Sequence, residues 1–115
     1  MLYNVTKKSF LARKPLKATG FGGRLRGLMF RSSFPAGCDA LFLYPCRAIH
    51  TYFLRFPIDI LLLDDSMQII SAFRALEPGK IGPLVAGVTG VMELPAGVID
   101  SSGTSDGDQL TFIQG

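Results

Sequence analysis

Thirteen glycines and seven prolines interrupt this chain of 115 residues so often that long helices have no room. A glycine inside a helix costs about 1 kcal/mol against alanine, and a proline removes a backbone donor altogether. Frequent turns suit many short strands instead. The apolar stretches between the breaks predict strands over residues 2–6, 10–17, 40–44, 48–54, 58–64, 69–75, 88–94 and 109–113. Lys7, Lys8 and Ser9 separate the first two and mark an exposed edge hairpin. Asp65 and Ser66 read as a tight turn between the fifth and sixth. One helix is expected, over residues 19–31, where Phe21, Leu25, Leu28 and Met29 fall on one helical face. Gly22, Gly23 and Gly27 keep it short and dependent on packing. The expected fold is therefore mainly β. It is a single domain over residues 1–115, a β-sandwich or barrel-like arrangement of eight short strands with one short N-terminal helix. The crossover helices that a parallel α/β sheet needs are missing from this pattern.

Composition narrows the function classes. Hydrophobic residues make up 48% of the chain and charged residues 18%, too apolar for a disordered chain. No apolar run is long enough to span a membrane. One histidine and two cysteines are too few for a closed four-ligand zinc site, and neither a metal nor a cofactor is implied. Cys38 and Cys46 form no disulfide framework, and the first residues show no apolar export segment. The expectation is a cytoplasmic protein with reduced thiols.

The net charge of +3 conceals a split. Residues 1–57 carry ten Lys or Arg and one acid, Asp39, giving +9; residues 58–115 carry two bases and eight acids, giving −6. Lys7, Lys8, Arg13, Lys14 and Lys17 with Tyr3 and Phe10 could form a phosphate-binding face. No nucleic-acid motif is present, however, so the expectation is that the two halves neutralise each other inside the fold. Arg24, Arg47 and Arg55 would then meet Asp59 and Glu93, and nucleic acid is not an expected partner.

The residues that could carry chemistry cluster between positions 45 and 65. Cys46, His50 and Asp59 stand there among apolar neighbours. Four residues of extended chain span about 13 Å, so Cys46 reaches His50 only if the chain bends at Arg47. His50 and Asp59 become diagonal neighbours if residues 54–57 reverse the chain and Tyr52 opposes Asp59. A slip of one residue puts them on opposite faces. Glu93 lies in the apolar run Val91-Met92-Glu93-Leu94-Pro95 and needs a partner or a proton; Arg55, Arg47 or Arg24 could supply the former. Each residue also has a purely structural reading. His50 would be a satisfied strand histidine, Cys46 a small core hydrophobe, Asp59 a backbone-bonding acid and Asp108 a turn acid.

Four ordered motifs carry a resemblance. They are Arg24 through Arg31 with Gly27-Leu28-Met29; Pro45-Cys46 with Ile49-His50-Thr51, followed by Arg55-Phe56-Pro57-Ile58-Asp59 and Leu63-Asp64; Glu93-Leu94-Pro95-Ala96-Gly97; and Gly107-Asp108. Over roughly residues 10–113 the chain resembles the domain of unknown function 192 family of small prokaryotic proteins. The resemblance implies a mainly β domain with a short N-terminal helix and no established activity. The family's recurrent polar positions fall on Arg24, Cys46, His50, Thr51, Arg55, Asp59 and Glu93. Leu54 and Phe53 depart from the methionine and glycine frequent there, which alters any pocket that segment lines.

Three functions compete. The favoured one is a binding module for a small anionic or carboxylated ligand, held by Arg24, His50, Thr51, Arg55, Asp59 and Glu93. The second is a hydrolase or thiol enzyme with catalytic candidates Cys46 as nucleophile, His50 as base and Asp59 or Glu93 as orienting acid. The third is a structural protein that forms a homodimer through a β edge.

Overall fold

The run Ile58-Asp-Ile-Leu-Leu-Leu63 has no polar alternation, which is how a strand reads when both its faces are covered. In the computed structural model it is the buried heart of the molecule. Residues 1–18, 34, 37–47, 55–79 and 85–114 are described. The helix expected over 19–31 and the strand expected over 48–54 lie outside them.

Eight strands are formed by the described residues: β1 (Leu2–Asn4), β2 (Ser9–Ala12), β3 (Pro15–Ala18), β4 (Ala40–Leu43), β5 (Ile58–Leu63), β6 (Ile69–Leu76), β7 (Gly90–Pro95) and β8 (Leu110–Phe112). One helical turn, α1 (Val98–Ser102), follows β7. The strands make two sheets, β2-β1-β8 and β3-β4-β7-β5-β6, in a sandwich-like arrangement without a closed barrel. All pairings are antiparallel except β3 with β4. No helix among the described residues is long and apolar enough to cross a membrane.

The single strand expected over residues 10–17 is two strands in different sheets. Asp39 causes the break. Its carboxylate accepts the N–H groups of Arg13 and Lys14 at 2.8 Å each, so neither donor needs a ladder partner at the corner. Pro15, with no N–H, then opens β3 at the edge of the larger sheet.

The larger sheet is covered on both faces. One face packs Leu61, Leu63, Met92 and Leu94 against Leu2, Leu11 and Leu110 of the small sheet and Ile99 of α1. The other carries Leu41, Leu43, Ile58, Ile60, Leu62 and Val91, with Phe34, Cys46, Phe56 and Val85 packed over them. Gly90 lets β7 pass Phe42, since a Cβ there would stand 2.8 Å from the Phe42 ring. The β5–β6 turn forms where Asp65 and Ser66 predict it. Asp64 accepts the N–H groups of Ser66 and Gln68, and Met67 takes the left-handed conformation at φ 68°.

Candidate functional site

Glu93 stands at the centre of the loop-covered face. On β7 it is in register with Leu41 of β4 and Ile60 of β5, both apolar and buried. Its side chain is 3% exposed. Among the described residues no cation and no hydrogen-bond donor meets its carboxyl. Burial without a partner penalises the charged form and pushes the pKa up from 4.5 to about 8. The group is therefore a neutral carboxylic acid at pH 7, able to donate one hydrogen bond and accept others.

Loop residues close over this face. Phe34 and Phe56 meet edge to face with centroids 5.9 Å apart, and both pack against the same apolar cluster. Arg55 precedes Phe56 and is exposed. Cys46 is half-buried against the cluster, and its N–H donates to the Thr89 carbonyl at 2.9 Å. The Thr89 hydroxyl is buried, with no partner among the described residues. Nothing in Val88-Thr89-Gly90 marks that threonine in the sequence.

Asp59 belongs elsewhere. It is in register with Leu94, one residue along from the Ile60–Glu93 pair, so the pleat turns it to the opposite face from Glu93. It is fully buried, and its carboxylate holds three backbone donors: Ala75 N–H at 2.8 Å, Gly97 N–H at 3.1 Å and Ile99 N–H at 2.9 Å. The first secures the irregular stretch of β6 where Ala75 adopts φ 48°; the other two cap α1 from a strand remote in sequence. These bonds are the backbone-bonding role that the sequence also allows. A carboxylate so engaged is not on the Glu93 face.

The expected register of Tyr52 opposite Asp59 and His50 opposite Leu61 is not formed. Both edges of β5 are taken, with Leu61 paired to Ala72 of β6 and to Met92 of β7. Arg24, His50 and Thr51 lie outside the described residues; of the rest of the expected constellation, Glu93 and Cys46 are on the loop-covered face, and Arg55 is exposed next to Phe56, which packs there.

The expected internal neutralisation of the two charged halves is formed between Lys7 and Asp108, whereas the expected pairing of Arg24 lies outside the described residues. Asp59 binds backbone and Glu93 meets no described cation, while Arg47 and Arg55 are exposed. Ion pairs between described residues include Arg74–Asp100, on the surface, and Lys7–Asp108 at 2.8 Å. Asp108 is more than a turn acid. Burial pushes its carboxyl up, but hydrogen bonds from Lys7, Asn4 and the Ser105 N–H outweigh this and hold it below the usual carboxylate range. It thereby fastens the β1–β2 hairpin to the C-terminal loop. Among the described residues no group of three or more His, Cys, Asp or Glu is arranged to hold a metal ion.

Comparison with known proteins agrees with this architecture. A UPF0127 protein of Thermococcus sibiricus is 30% identical over 117 residues, covering 97% of this chain and 74% of that protein. A crystal structure of a protein of unknown function from Novosphingobium aromaticivorans superposes with a TM-score of 0.72 at 21% identity, over 85% of this chain and 74% of that one. A second, from Sinorhizobium meliloti, gives 0.69 at 22% identity, over 84% and 79%. At such identities the two structures share the fold alone. Residues 11–112 match the DUF192 family, described as Uncharacterized ACR. The chain belongs to the DUF192 family.

Proposed function

We propose that the chain is a small ligand-binding domain whose site is the loop-covered face of the larger sheet, and that it takes a small anionic or carboxylated ligand. The observation that carries this reading is Glu93, a carboxyl buried mid-sheet without a described partner and held in its neutral form. A structural acid would be expected to carry a partner, as Asp59 and Asp108 do. A neutral carboxyl can donate to an anion that an ionised one would repel. The exposed guanidinium of Arg55, beside Phe56, supplies the charge that a carboxylate or phosphate ligand requires. Arg24, His50 and Thr51 complete the proposed binding set, on the strength of the sequence motifs alone.

Thermal-shift screening of small organic acids and phosphates tests the reading. The expected result is a melting temperature raised by at least one acid, with the rise diminished in Arg55→Ala and abolished in Glu93→Ala. A screen in which no acid stabilises the protein, or one in which both variants respond as the parent does, removes the proposal.

A further inference from the structure

The outer face of the small sheet, β2-β1-β8, offers a surface that the Glu93 site does not use. Strand alternation sets Leu2, Asn4, Leu11 and Leu110 inward and leaves Tyr3, Phe10 and Thr111 outward in adjacent register. The Phe10 and Tyr3 rings contact each other with centroids 4.8 Å apart, yet Phe10 remains 53% exposed. Val5 and Ile113 extend the apolar surface at 46% and 37% exposure.

The charge around this face is mainly basic. Residues 1–18 contain five Lys or Arg and no acid, and residues 109–114 contain no charged side chain. Lys7 is engaged by Asp108, and the carboxylate of Asp39 lies under the Arg13–Lys14 corner on their backbone N–H groups. Lys8, Arg13, Lys14 and Lys17 have no carboxylate against their side chains among the described residues; Lys17 instead lies 4.4 Å from the centroid of the Phe112 ring. Lys8 stands at the hairpin tip, while Arg13 and Lys14 occupy the corner beyond the other end of β2. Cations thus stand beyond both ends of a short strand that carries the exposed Phe10 ring, itself in contact with the half-buried Tyr3.

We propose that this face binds single-stranded nucleic acid, with bases stacking on Phe10 and Tyr3 and phosphates meeting Lys8 at one end and Arg13 and Lys14 at the other. A polyanion answers the unneutralised charge, and a flat, sequence-tolerant partner answers the open aromatic ring. An anionic lipid surface answers the charge too, but a three-strand face with its aromatic pair at the centre and its cations at the ends matches a threaded strand better than a planar insertion.

The test is fluorescence anisotropy of a labelled oligothymidylate of about 12 nucleotides at low salt. The intact chain should bind saturably, with affinity falling on a log–log salt slope of about −2, as three phosphates on a single strand require. Phe10→Ala should weaken binding about tenfold or more at an unchanged melting temperature, and Phe10→Tyr should restore it. Lys8→Gln should reduce the salt slope by about 0.7. The proposal is overturned if the oligomer does not bind at low salt, or if Phe10→Ala binds as tightly as the parent. Equal affinity for duplex DNA, or sedimentation with phosphatidylserine vesicles without oligomer binding, overturns it as well.

Discussion

Replacing Glu93 by glutamine should change the pH dependence of stability more than stability at any one pH. The carboxyl has a pKa of about 8 in the folded protein against 4.5 for the unperturbed group. Between those values the folded state holds a proton that the unfolded state has released, so folding weakens as pH rises. Below the lower value both states are protonated and no penalty exists. Each pH unit in the interval costs about 1.4 kcal/mol, so about 3 kcal/mol has been lost by pH 7. Above the folded-state pKa the carboxyl ionises in both states and the loss levels off. Glutamine keeps the shape and does not titrate. Its own offset, favourable or not, is independent of pH, and the other carboxylates titrate alike in both proteins, so the difference between the two isolates Glu93. Urea denaturation of both proteins at pH 5, 6, 7 and 8 is the assay. The stability of Glu93→Gln relative to the parent should climb by about 1.4 kcal/mol per unit and flatten near pH 8. Parallel curves across that range would refute the reasoning, because they mean that Glu93 is ionised and paired in the native protein.

Asp59→Ala should destabilise by about 2 kcal/mol or more, since three backbone donors lose their acceptor at once and one of them, the Ile99 N–H, is buried; a loss below about 1 kcal/mol in denaturant melts would mean that water replaces the carboxylate. The depressed carboxyl of Asp108 contributes stability that is present above its ordinary value of 3.8 and is lost as pH falls through the lower folded-state value. Lys7→Met should therefore raise the Asp108 pKa, read by carboxyl NMR, and shift acid unfolding to higher pH; an unmoved resonance contradicts the pairing. Gly90→Ala should cost about 1 kcal/mol or more by pressing on the Phe42 ring, checked by calorimetry. Arg74→Ala should leave the denaturation midpoint unchanged, because both partners of the Arg74–Asp100 pair are exposed.

What was legible in the sequence follows the range of the forces. Residues 58–63 announce a strand because the pattern is local, and Asp65-Ser66 announces a turn because the Asp64 side chain bonds backbone two and four residues on. The division of residues 10–17 is invisible locally. Its cause is Asp39, about 25 residues away, which satisfies the two donors at the corner. The five-residue α1 escapes for the same reason. Pro95-Ala96-Gly97 marks the turn, but the helix after it is capped by Asp59, about 40 residues upstream. The register placing Tyr52 opposite Asp59 assumes that successive strands pair. In the fold, β7 comes between β4 and β5 and occupies the edge that such pairing would need.

Asp59 and Glu93 show why burial of an acid in an apolar strand does not identify a site. Both stand out in the sequence on the same ground, a carboxylate where solvent cannot reach. They sit on paired strands one register step apart, Asp59 opposite Leu94 and Glu93 opposite Ile60. The pleat sends them to opposite faces and so into different company. Toward the small sheet, an irregular stretch of β6 and the start of α1 leave N–H groups without intrastrand partners, and Asp59 answers them. Toward the loops, the neighbours of Glu93 are Leu41 and Ile60, which offer no donor. One acid completes the fold, whereas the other retains hydrogen-bonding capacity that the described protein does not use. Partner among the described residues, not burial, separates them, and that distinction is the ground for proposing the loop-covered face of β7 as the site.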